Sequence, residues 1–291
     1  MDDHILHITA GNGGVRAFTA TTRNTVGTAA CLHMLSPVAA AALGRLLTAA
    51  AVMGAMLKND GDILTLSIKG DGPLGGLLAT SDSRSRVKGY ALNGAADVPS
   101  VRAGKLDVAA AVGKGSLNVV KDMGLKEPYA GTVPLVSGEI AEDLAYYYAT
   151  SEQTPSAVGL GVLVDRDRSV RQAGGFVVQL LPGADNALIE NTERSVKKIG
   201  MVTNFYDAGN TTHDMAEYLF KDIGYIVNEK IPVEYFCNCS RERVEKALVS
   251  LGKDELIKIL DEDKQASLHC HFCRKDYGFS ERELRSIING L

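Results

Sequence analysis

Apolar residues alternate with polar or small residues in several stretches between positions 63 and 182. In residues 63–69, Leu64, Leu66 and Ile68 recur at every second position, which predicts a half-buried strand. Similar patterns predict strands at 87–92, 116–121, 132–136, 157–164 and 170–181, with helical patches at 108–112 and 140–150. Few of the connections are long enough for a crossover helix between parallel strands. The predicted fold class is therefore α+β, with an N-terminal domain of mostly antiparallel sheets and packed helices.

Residues 37–57 show a different pattern, in which alanine and leucine follow one another without alternation. Ser36 suits the N-cap position and Pro37 suits the first turn, so a helix is predicted to begin here. Arg45 and Thr48 interrupt the apolar run, and alanine is only weakly hydrophobic. We therefore predict a buried helix rather than a membrane segment.

Residues 183–230 keep apolar positions at helical spacing, but the helix formers around them are poor. The apolar positions include Leu188, Val196, Ile199, Met215, Leu219 and Phe220. Residues such as Gly200, Thr203 and Asn204 each cost up to about 1 kcal/mol relative to alanine in a helix. Helices of this kind need an external surface to stay formed. The segment is either an ordinary linker with two amphipathic helices or one that detaches; we predict a metastable helical linker.

Residues 231–291 form a small tail with three predicted helices. Ser240 can cap the first helix, and Ser280 with Glu283 forms a capping box before the last. A domain of this size has a thin core and commonly needs a metal ion or disulfides. The predicted division is an N-terminal core at 1–182, the linker at 183–230 and a small zinc-binding domain at 231–291.

Composition narrows the functional classes. The chain has 291 residues, 45 % hydrophobic content and a net charge of −4, so it can bury a substantial core. The acidic balance gives no general attraction to nucleic acid or to anionic lipid, and neither is expected as a partner. The N-terminal residues lack the basic and apolar regions of a secretory signal, and we expect the protein in the cytoplasm.

Four of the five cysteines lie in the tail as two close pairs, Cys237, Cys239, Cys270 and Cys273. Two short chelating pairs give the four soft ligands that zinc prefers, so one zinc ion per chain is predicted. His269 and His271 are alternative ligands, although His271 stands between two cysteines and more plausibly lies outside the ligand set. Resting disulfides are disfavoured because cytoplasmic thiols are kept reduced.

Such a site is either permanently structural or sensitive to oxidation. Structural zinc sites usually contain C-x-x-C pairs, whereas the first pair here is C-x-C, which closes a very small ring when oxidised. A disulfide there departs from relaxed geometry and is readily reduced, as a reversible switch requires. Zinc contributes about 10 to 16 kcal/mol in small zinc domains, at least as much as the stability of a typical domain. We therefore expect loss of zinc to unfold the tail.

Other functions have weaker support in the sequence. A nucleic-acid module would show a basic stripe, but the arginines near the cysteines alternate with acidic residues. Residues 70–75 match G-x-G-x-x-G, yet Pro73 removes one amide and no convincing helix follows, so a turn between strands is predicted instead of a nucleotide site. Cys31 near His33 could form a nucleophile and base pair, but a buried or incidental thiol is the favoured interpretation. No enzymatic activity is predicted.

Several longer motifs resemble one family. They are Glu234-Tyr-Phe-Cys-Asn-Cys-Ser-Arg-Glu-Arg243, Cys270-His-Phe-Cys273 followed by Tyr277 and Phe279, Ser151-Glu-Gln-Thr-Pro-Ser156, Gly161-Val-Leu-Val-Asp165, and Ala173-Gly-Gly-Phe-Val-Val-Gln-Leu-Leu-Pro-Gly-Ala184. Together they resemble the bacterial redox-regulated heat-shock chaperones, the thirty-three-kilodalton chaperonins. The resemblance covers nearly the whole chain except the linker.

The resemblance implies an ATP-independent holdase of the stress response. In that family the reduced, zinc-bound form is inactive, and oxidation releases zinc, unfolds the C-terminal region and allows binding of unfolding client proteins, often as a homodimer. Carried over by position, the disulfides would join Cys237 with Cys239 and Cys270 with Cys273. The zinc ligands would be the same four residues. No nucleotide is implied as a cofactor.

Overall fold

The computed structural model describes residues 2–100 and 105–291. Thirteen strands lie within these ranges: β1 (His4–Ala10), β2 (Val15–Thr21), β3 (Ile63–Gly70), β4 (Leu77–Asp82), β5 (Arg86–Ala91), β6 (Gly115–Asp122), β7 (Tyr129–Pro134), β8 (Ser156–Val164), β9 (Val170–Leu180), β10 (Tyr225–Pro232), β11 (Glu234–Tyr235), β12 (Gln265–His269) and β13 (Asp276–Ser280). The ten helices described are α1 (Arg23–Leu32), α2 (Pro37–Gly54), α3 (Val108–Val112), α4 (Ala141–Thr150), α5 (Asn186–Ile199), α6 (Val202–Asp207), α7 (Thr212–Phe220), α8 (Arg241–Val249), α9 (Lys253–Glu262) and α10 (Glu281–Asn289).

The strands form three sheets. A five-stranded sheet has the order β10-β1-β2-β9-β8, a six-stranded sheet has the order β11-β5-β4-β3-β6-β7, and β12 pairs with β13. Among the described strands, only β11 and β5 pair in parallel. The predicted α+β fold with mostly antiparallel sheets is confirmed, and the six predicted strands correspond to β3 and β5–β9.

The chain divides into two compact units, of which the first ends at Phe236 and the second runs from Cys237 to Leu291. In the first unit, helix α2 packs against strands of both large sheets. Ser36 caps this helix, since its Oγ accepts a hydrogen bond from the Ala39 amide at 3.2 Å. Among the described helices, α2 alone is long and apolar enough to cross a membrane, but 89 % of it is buried inside the protein. It is therefore the predicted buried core helix.

Helices α5–α7 cover the face of the five-stranded sheet that points away from α2. Their fully or nearly buried side chains are Ile199, Val202, Tyr206, Met215, Ala216, Leu219 and Phe220. The sheet contributes Leu6, Ile8, Ala10, Val15, Ala17, Phe176 and Val178 to the same cluster. The poor helix formers of this segment are thus held in helices by an apolar sheet face, as the sequence pattern requires.

The segment 183–230 is more structured than two helices in a linker. Asp185 caps α5 by accepting the Leu188 amide at 2.8 Å, and Gly200, at a φ of 63°, separates α5 from α6. Strand β10 then pairs with β1 over its whole length. This strand crosses the predicted boundary between the linker, which ends at 230, and the tail, which starts at 231, and the second unit begins only at Cys237.

The second unit has a thin core, as its length predicts. Seven side chains are buried together: Leu248, Leu256, Leu260, Tyr277, Phe279, Leu284 and Ile288. They come from α8–α10 and from one face of the β12–β13 hairpin. Cys239 and Cys270 pack against this cluster, so the cysteines adjoin the apolar side chains that hold the unit together.

Candidate metal centre

The first cysteine pair lies on an extended segment between β11 and α8. Ser240, the N-cap of α8, accepts the Arg243 amide with its Oγ at 3.3 Å. The Arg243 guanidinium in turn donates to the Asn238 carbonyl at 3.1 Å. These two bonds hold the residue between Cys237 and Cys239 against the first turn of the helix. The C-x-C segment is therefore positioned by the helix that follows it.

The second pair lies in the turn that joins β12 to β13. The Cys270 amide donates to the Lys275 carbonyl at 2.9 Å, and the Arg274 amide donates to the Cys270 carbonyl at 2.8 Å. Arg274 has a φ of 57°, in the left-handed region, which lets the chain reverse directly after Cys273. The tight turn brings both sulfurs of the C-x-x-C motif to one end of the hairpin.

All four predicted ligand residues meet. Their sulfur atoms lie within 4.8 Å of one another, and within the described ranges this is the one such group of cysteine, histidine or acidic ligand atoms. Two contacts join the two segments: the Cys239 and Cys273 sulfurs are 3.2 Å apart, and those of Cys237 and Cys270 are 3.7 Å apart. The four thiols are free of disulfides. This arrangement can hold one metal ion.

The electrostatics of the four thiols favour a cation. Burial raises the pKa of Cys237, and it raises the pKa of Cys273 to about 12 together with hydrogen bonding to Cys239. Burial opposes ionisation of Cys239 as well, but hydrogen bonds from Tyr277 and the neighbouring thiols outweigh it and lower its pKa to about 7. Adjacent thiolates repel one another, so a positive ion is needed before all four sulfurs ionise.

Two aromatic residues of β13 support the cysteines. The Tyr277 hydroxyl donates to the Cys239 sulfur at 3.0 Å, a contact that cysteine spacing alone does not predict. Phe279 lies under the guanidinium of Arg241, whose carbon is 4.4 Å from the ring centroid. Arg241 also pairs with Glu283 of the α10 capping box at 2.6 Å. The start of α8 is thereby tied to both β13 and α10.

The two candidate histidines lie beside the cysteines and outside the cluster of ligand atoms. His269 Nδ1 is 2.7 Å from Asp276 Oδ1, across the hairpin from it. The ring of His271 stands edge-on to that of His269, with centroids 6.1 Å apart. The placement agrees with the expectation that four cysteines form the ligand set.

The two remaining motifs do not form further sites. Cys31 lies exposed on α1 in the first unit, and His33 Nε2 is 3.2 Å from the Tyr235 hydroxyl. Residues 70–75 connect β3 to β4, as predicted. The amides of Asp71, Gly72 and Leu74 donate to carbonyls of residues 111–114 at 2.9 to 3.0 Å. Because these donors are occupied, the glycine turn cannot act as a phosphate cradle.

Comparisons with known proteins agree on one family. The family model described as Hsp33 protein matches residues 3–280. A protein named 33 kDa chaperonin from Lachnoclostridium phytofermentans is 50 % identical over 288 residues, covering 99 % of each chain. The 33 kDa chaperonin of Clostridioides difficile is 51 % identical over 292 residues, covering both chains completely.

A solved structure gives the same result. The crystal structure of the 33 kDa chaperonin of Thermotoga maritima, a heat shock protein 33 homolog, superimposes with a TM-score of 0.91 at 38 % identity. The match covers 100 % of this chain and 99 % of the other. The relatives are named as chaperonins rather than enzymes. This chain belongs to the Hsp33 family of 33 kDa chaperonins.

Proposed function

We propose that the protein is a redox-regulated, ATP-independent holdase, inactive when reduced and zinc-bound and active after oxidation. One observation carries the proposal: the four clustered sulfurs lie beside the thin core of the second unit, which has seven buried side chains. The stability of this unit then depends on whether its cysteines are reduced and metal-bound or oxidised. Cytoplasmic thiols are kept reduced, so the resting state is the metal-bound one.

The cluster fits zinc. Four sulfurs at the usual Zn–S distance of about 2.3 Å form a tetrahedron with edges of about 3.8 Å. The measured contact of 3.7 Å between Cys237 and Cys270 matches that edge, and 3.2 Å between Cys239 and Cys273 is somewhat shorter. A bound zinc ion would supply the positive charge that keeps all four sulfurs as thiolates. Thiolates are the nucleophilic form of cysteine, so the site is also the reactive one.

The sulfur chemistry proceeds by a two-electron oxidation at each pair. One thiolate attacks hydrogen peroxide and becomes a sulfenic acid, and its neighbour displaces that oxygen to form the S–S bond. Each disulfide consumes one peroxide and two protons and yields two waters. We propose the pairs Cys237 with Cys239 and Cys270 with Cys273, as the family resemblance implies. Sulfurs paired in disulfides would no longer hold a metal ion, so a bound Zn²⁺ would be released.

The free energy that would be lost with zinc is large enough to unfold the second unit. Structural zinc is worth about 10 to 16 kcal/mol in small zinc domains, whereas a whole domain is commonly stable by about 5 to 15 kcal/mol. Seven buried side chains from a 55-residue unit cannot replace that contribution. Disulfides within each short pair close only small loops and restrict the unfolded chain little.

The client surface that we propose is the apolar cluster under α5–α7. Phe220, Met215 and Leu219 are each at most 2 % exposed in this state, and so are Leu6 and Ile8 on the sheet beneath them. We propose that unfolding of the second unit allows the linker helices, which contain poor helix formers, to detach from the sheet. Both surfaces then become available to unfolding proteins, for which exposed apolar area provides the binding energy. A homodimer of the oxidised form would bury part of the same area.

The test follows zinc and chaperone activity in one sample. Zinc-loaded protein is treated with peroxide, zinc release is measured with a chromogenic chelator, and light scattering from a separately denaturing client is recorded. We expect one zinc per chain to be released and scattering to be suppressed only after oxidation. Zinc release without suppression of scattering would favour a purely structural role for zinc over a role in switching chaperone activity. Reduction with dithiothreitol in the presence of zinc should reverse both signals.

A further inference from the structure

The chain reaches the first cysteine through a short strap, residues 233–236, on the edge of the six-stranded sheet. Strand β11 pairs in parallel with β5, with Glu234 opposite Arg86 and Tyr235 opposite Val87. The Phe236 amide then donates to the Val87 carbonyl at 2.8 Å. Cys237 follows directly. The strap is thus an extended peptide that adds one strand to an existing sheet.

Two aromatic side chains fix the strap. The Tyr235 hydroxyl donates to the Gly89 carbonyl at 2.9 Å, so its ring lies along β5. The guanidinium carbon of Arg86 is 4.6 Å from the centroid of the Phe236 ring, within the range of a cation–π contact. Arg86 is itself held by Asp82, whose carboxylate accepts its Nε at 2.7 Å. The β5 edge therefore offers backbone groups for strand pairing, a carbonyl acceptor, and an arginine side chain that Asp82 holds in position.

The strap has fewer backbone pairs than the strand before it. β11 has two residues, whereas β10 pairs with β1 through seven residue pairs. Phe236 is 37 % exposed, and an open cavity of about 730 Å³ borders the strap. That cavity is lined on one side by Arg84 and Arg86 and on the other by Asn24 and Thr28 of α1. Val233 is buried in the apolar cluster that contains Val87, and Tyr235 packs against that cluster, so release of the strap from Glu234 onwards costs the contacts of Tyr235 but leaves Val233 in the core.

We infer that the β5 edge is a client-binding site that the strap occupies in the resting state. This inference rests on the proposed function. Phe236 is bonded to Cys237, so unfolding of the second unit removes one anchor of the strap. Once it leaves, β5 presents unpaired backbone groups beside Arg86, and a second extended peptide can take its place. The strap acts as an intramolecular competitor for this edge.

The strap itself indicates the class of ligand. It is an extended segment in which an acidic residue precedes two adjacent aromatic residues, Glu234, Tyr235 and Phe236. Extended peptides commonly bind by adding a strand to a sheet edge, where side-chain pockets provide the selectivity. Neighbouring aromatic residues are usually buried in folded proteins and become accessible when those proteins unfold. The expected clients are therefore extended, aromatic-containing segments of unfolding proteins.

A peptide copy of the strap tests the inference on the full chain. A fluorescently labelled peptide of residues 231–236, Ile-Pro-Val-Glu-Tyr-Phe with blocked termini, is titrated into reduced and oxidised protein, and anisotropy is recorded. A control peptide carries serine in place of both aromatic residues. We expect the strap peptide to bind the oxidised protein at least tenfold more tightly than the reduced protein, and the control peptide to bind neither form measurably.

Matched variants locate the site. Arg86→Gln should weaken peptide binding by about 3- to 10-fold, as expected for loss of one cation–π contact. Arg84→Gln makes the same charge change in the same cavity, but Arg84 pairs with Asp60 instead of the ring, so binding should stay within twofold. Phe236→Ala should allow the peptide to bind reduced protein, whereas Ile226→Ala, at an exposed position of β10, should not.

Peptide binding tests the β5 edge as a client site, and client scattering tests the holdase function separately. Equal peptide binding by reduced and oxidised protein, no binding to either, or binding indifferent to Arg86→Gln would each overturn the inference. Suppression of client scattering by oxidised protein is measured in parallel and decides the holdase function by itself. If the peptide binds as expected, it should also compete with the client and restore light scattering. That result would support the β5 edge as a client site.

Discussion

Phe220 is the residue whose removal should most directly loosen the linker. Its side chain is fully buried at the end of α7, and the apolar cluster around it joins α5–α7 to the five-stranded sheet. Replacing a buried phenylalanine with alanine costs about 3 to 5 kcal/mol, because transfer energy is lost and a cavity remains. At about 1.4 kcal/mol per factor of ten, the detached population of the linker should rise by roughly two to four powers of ten.

The assay for Phe220→Ala is hydrogen exchange on reduced, zinc-loaded protein. We expect faster exchange in residues 186–220, unchanged exchange in α2 and β3–β7, and partial suppression of client scattering without oxidant. Zinc should remain at one per chain, since Phe220 belongs to the first unit and the cysteines to the second. Tyr218→Ala is the matched control on the same helix: Tyr218 is 40 % exposed and loses one hydrogen bond to the Lys198 carbonyl and one edge-on contact with the Phe205 ring, but leaves no buried cavity.

Two results would refute this reasoning. Unchanged exchange in residues 186–220 of Phe220→Ala would show that the buried cluster does not hold the linker in place. Loss of protection throughout the first unit would show that α5–α7 cannot detach separately from the rest of that unit. Either result removes the physical basis for a releasable linker, whatever the zinc site does.

Three further predictions concern the metal, the disulfides and pH. Cys270→Ser should weaken zinc binding in a chelator competition because three thiolates remain, whereas His271→Ala should change it little. Mass mapping after oxidation should find Cys237 joined to Cys239. A bridge between the two segments would instead close a loop of some thirty residues and stabilise the tail by about 3 to 4 kcal/mol. Oxidation would then stabilise the second unit instead of unfolding it. Burial, with help from Lys230 and His213, lowers the pKa of His4, whose Nε2 is 2.8 Å from Thr212 Oγ1 at the start of α7. The unfolded chain therefore binds this proton more readily, so stability is complete above about pH 6.5 and falls below it, and His4→Gln should reduce that fall in urea unfolding curves.

The alternation in β3 made that strand predictable from the sequence, whereas β1, which has two buried faces, was not predicted. In β3 the alternation of Leu64, Leu66 and Ile68 is clear because only one face of the strand is buried. In β1, Ile5 packs into the core around α2 while Leu6 and Ile8 pack under the linker helices. Both faces are therefore apolar, and the period of two is lost.

The linker illustrates a second limit. Its helices were visible from apolar spacing, but β10 pairs with β1 across more than two hundred residues, and nothing local specifies such a partner. Gly200 was counted among poor helix formers, whereas its positive φ places it between α5 and α6, where alanine would be strained. A substitution there would not stabilise either helix.

The candidate site was largely predictable because metal ligands leave a strong sequence pattern. The four cysteines were identified from spacing alone, and the structure brings their sulfurs together. The Tyr277 hydroxyl on Cys239 was not predicted, since its position depends on the register of the β12–β13 hairpin. The pairing of cysteines into disulfides also stays a prediction, because all four sulfurs lie within 4.8 Å of one another and two of the contacts join different segments.

Oxidation of the four cysteines should free α5–α7 and thereby create the chaperone. Hydrogen exchange and client light scattering on the same oxidised, zinc-depleted sample test this coupling. We predict that residues 186–220 and the second unit lose protection while β3, β4 and β6–β9 keep it, and that suppression of scattering appears with that loss. Strong protection of residues 186–220 while scattering is fully suppressed would contradict the account.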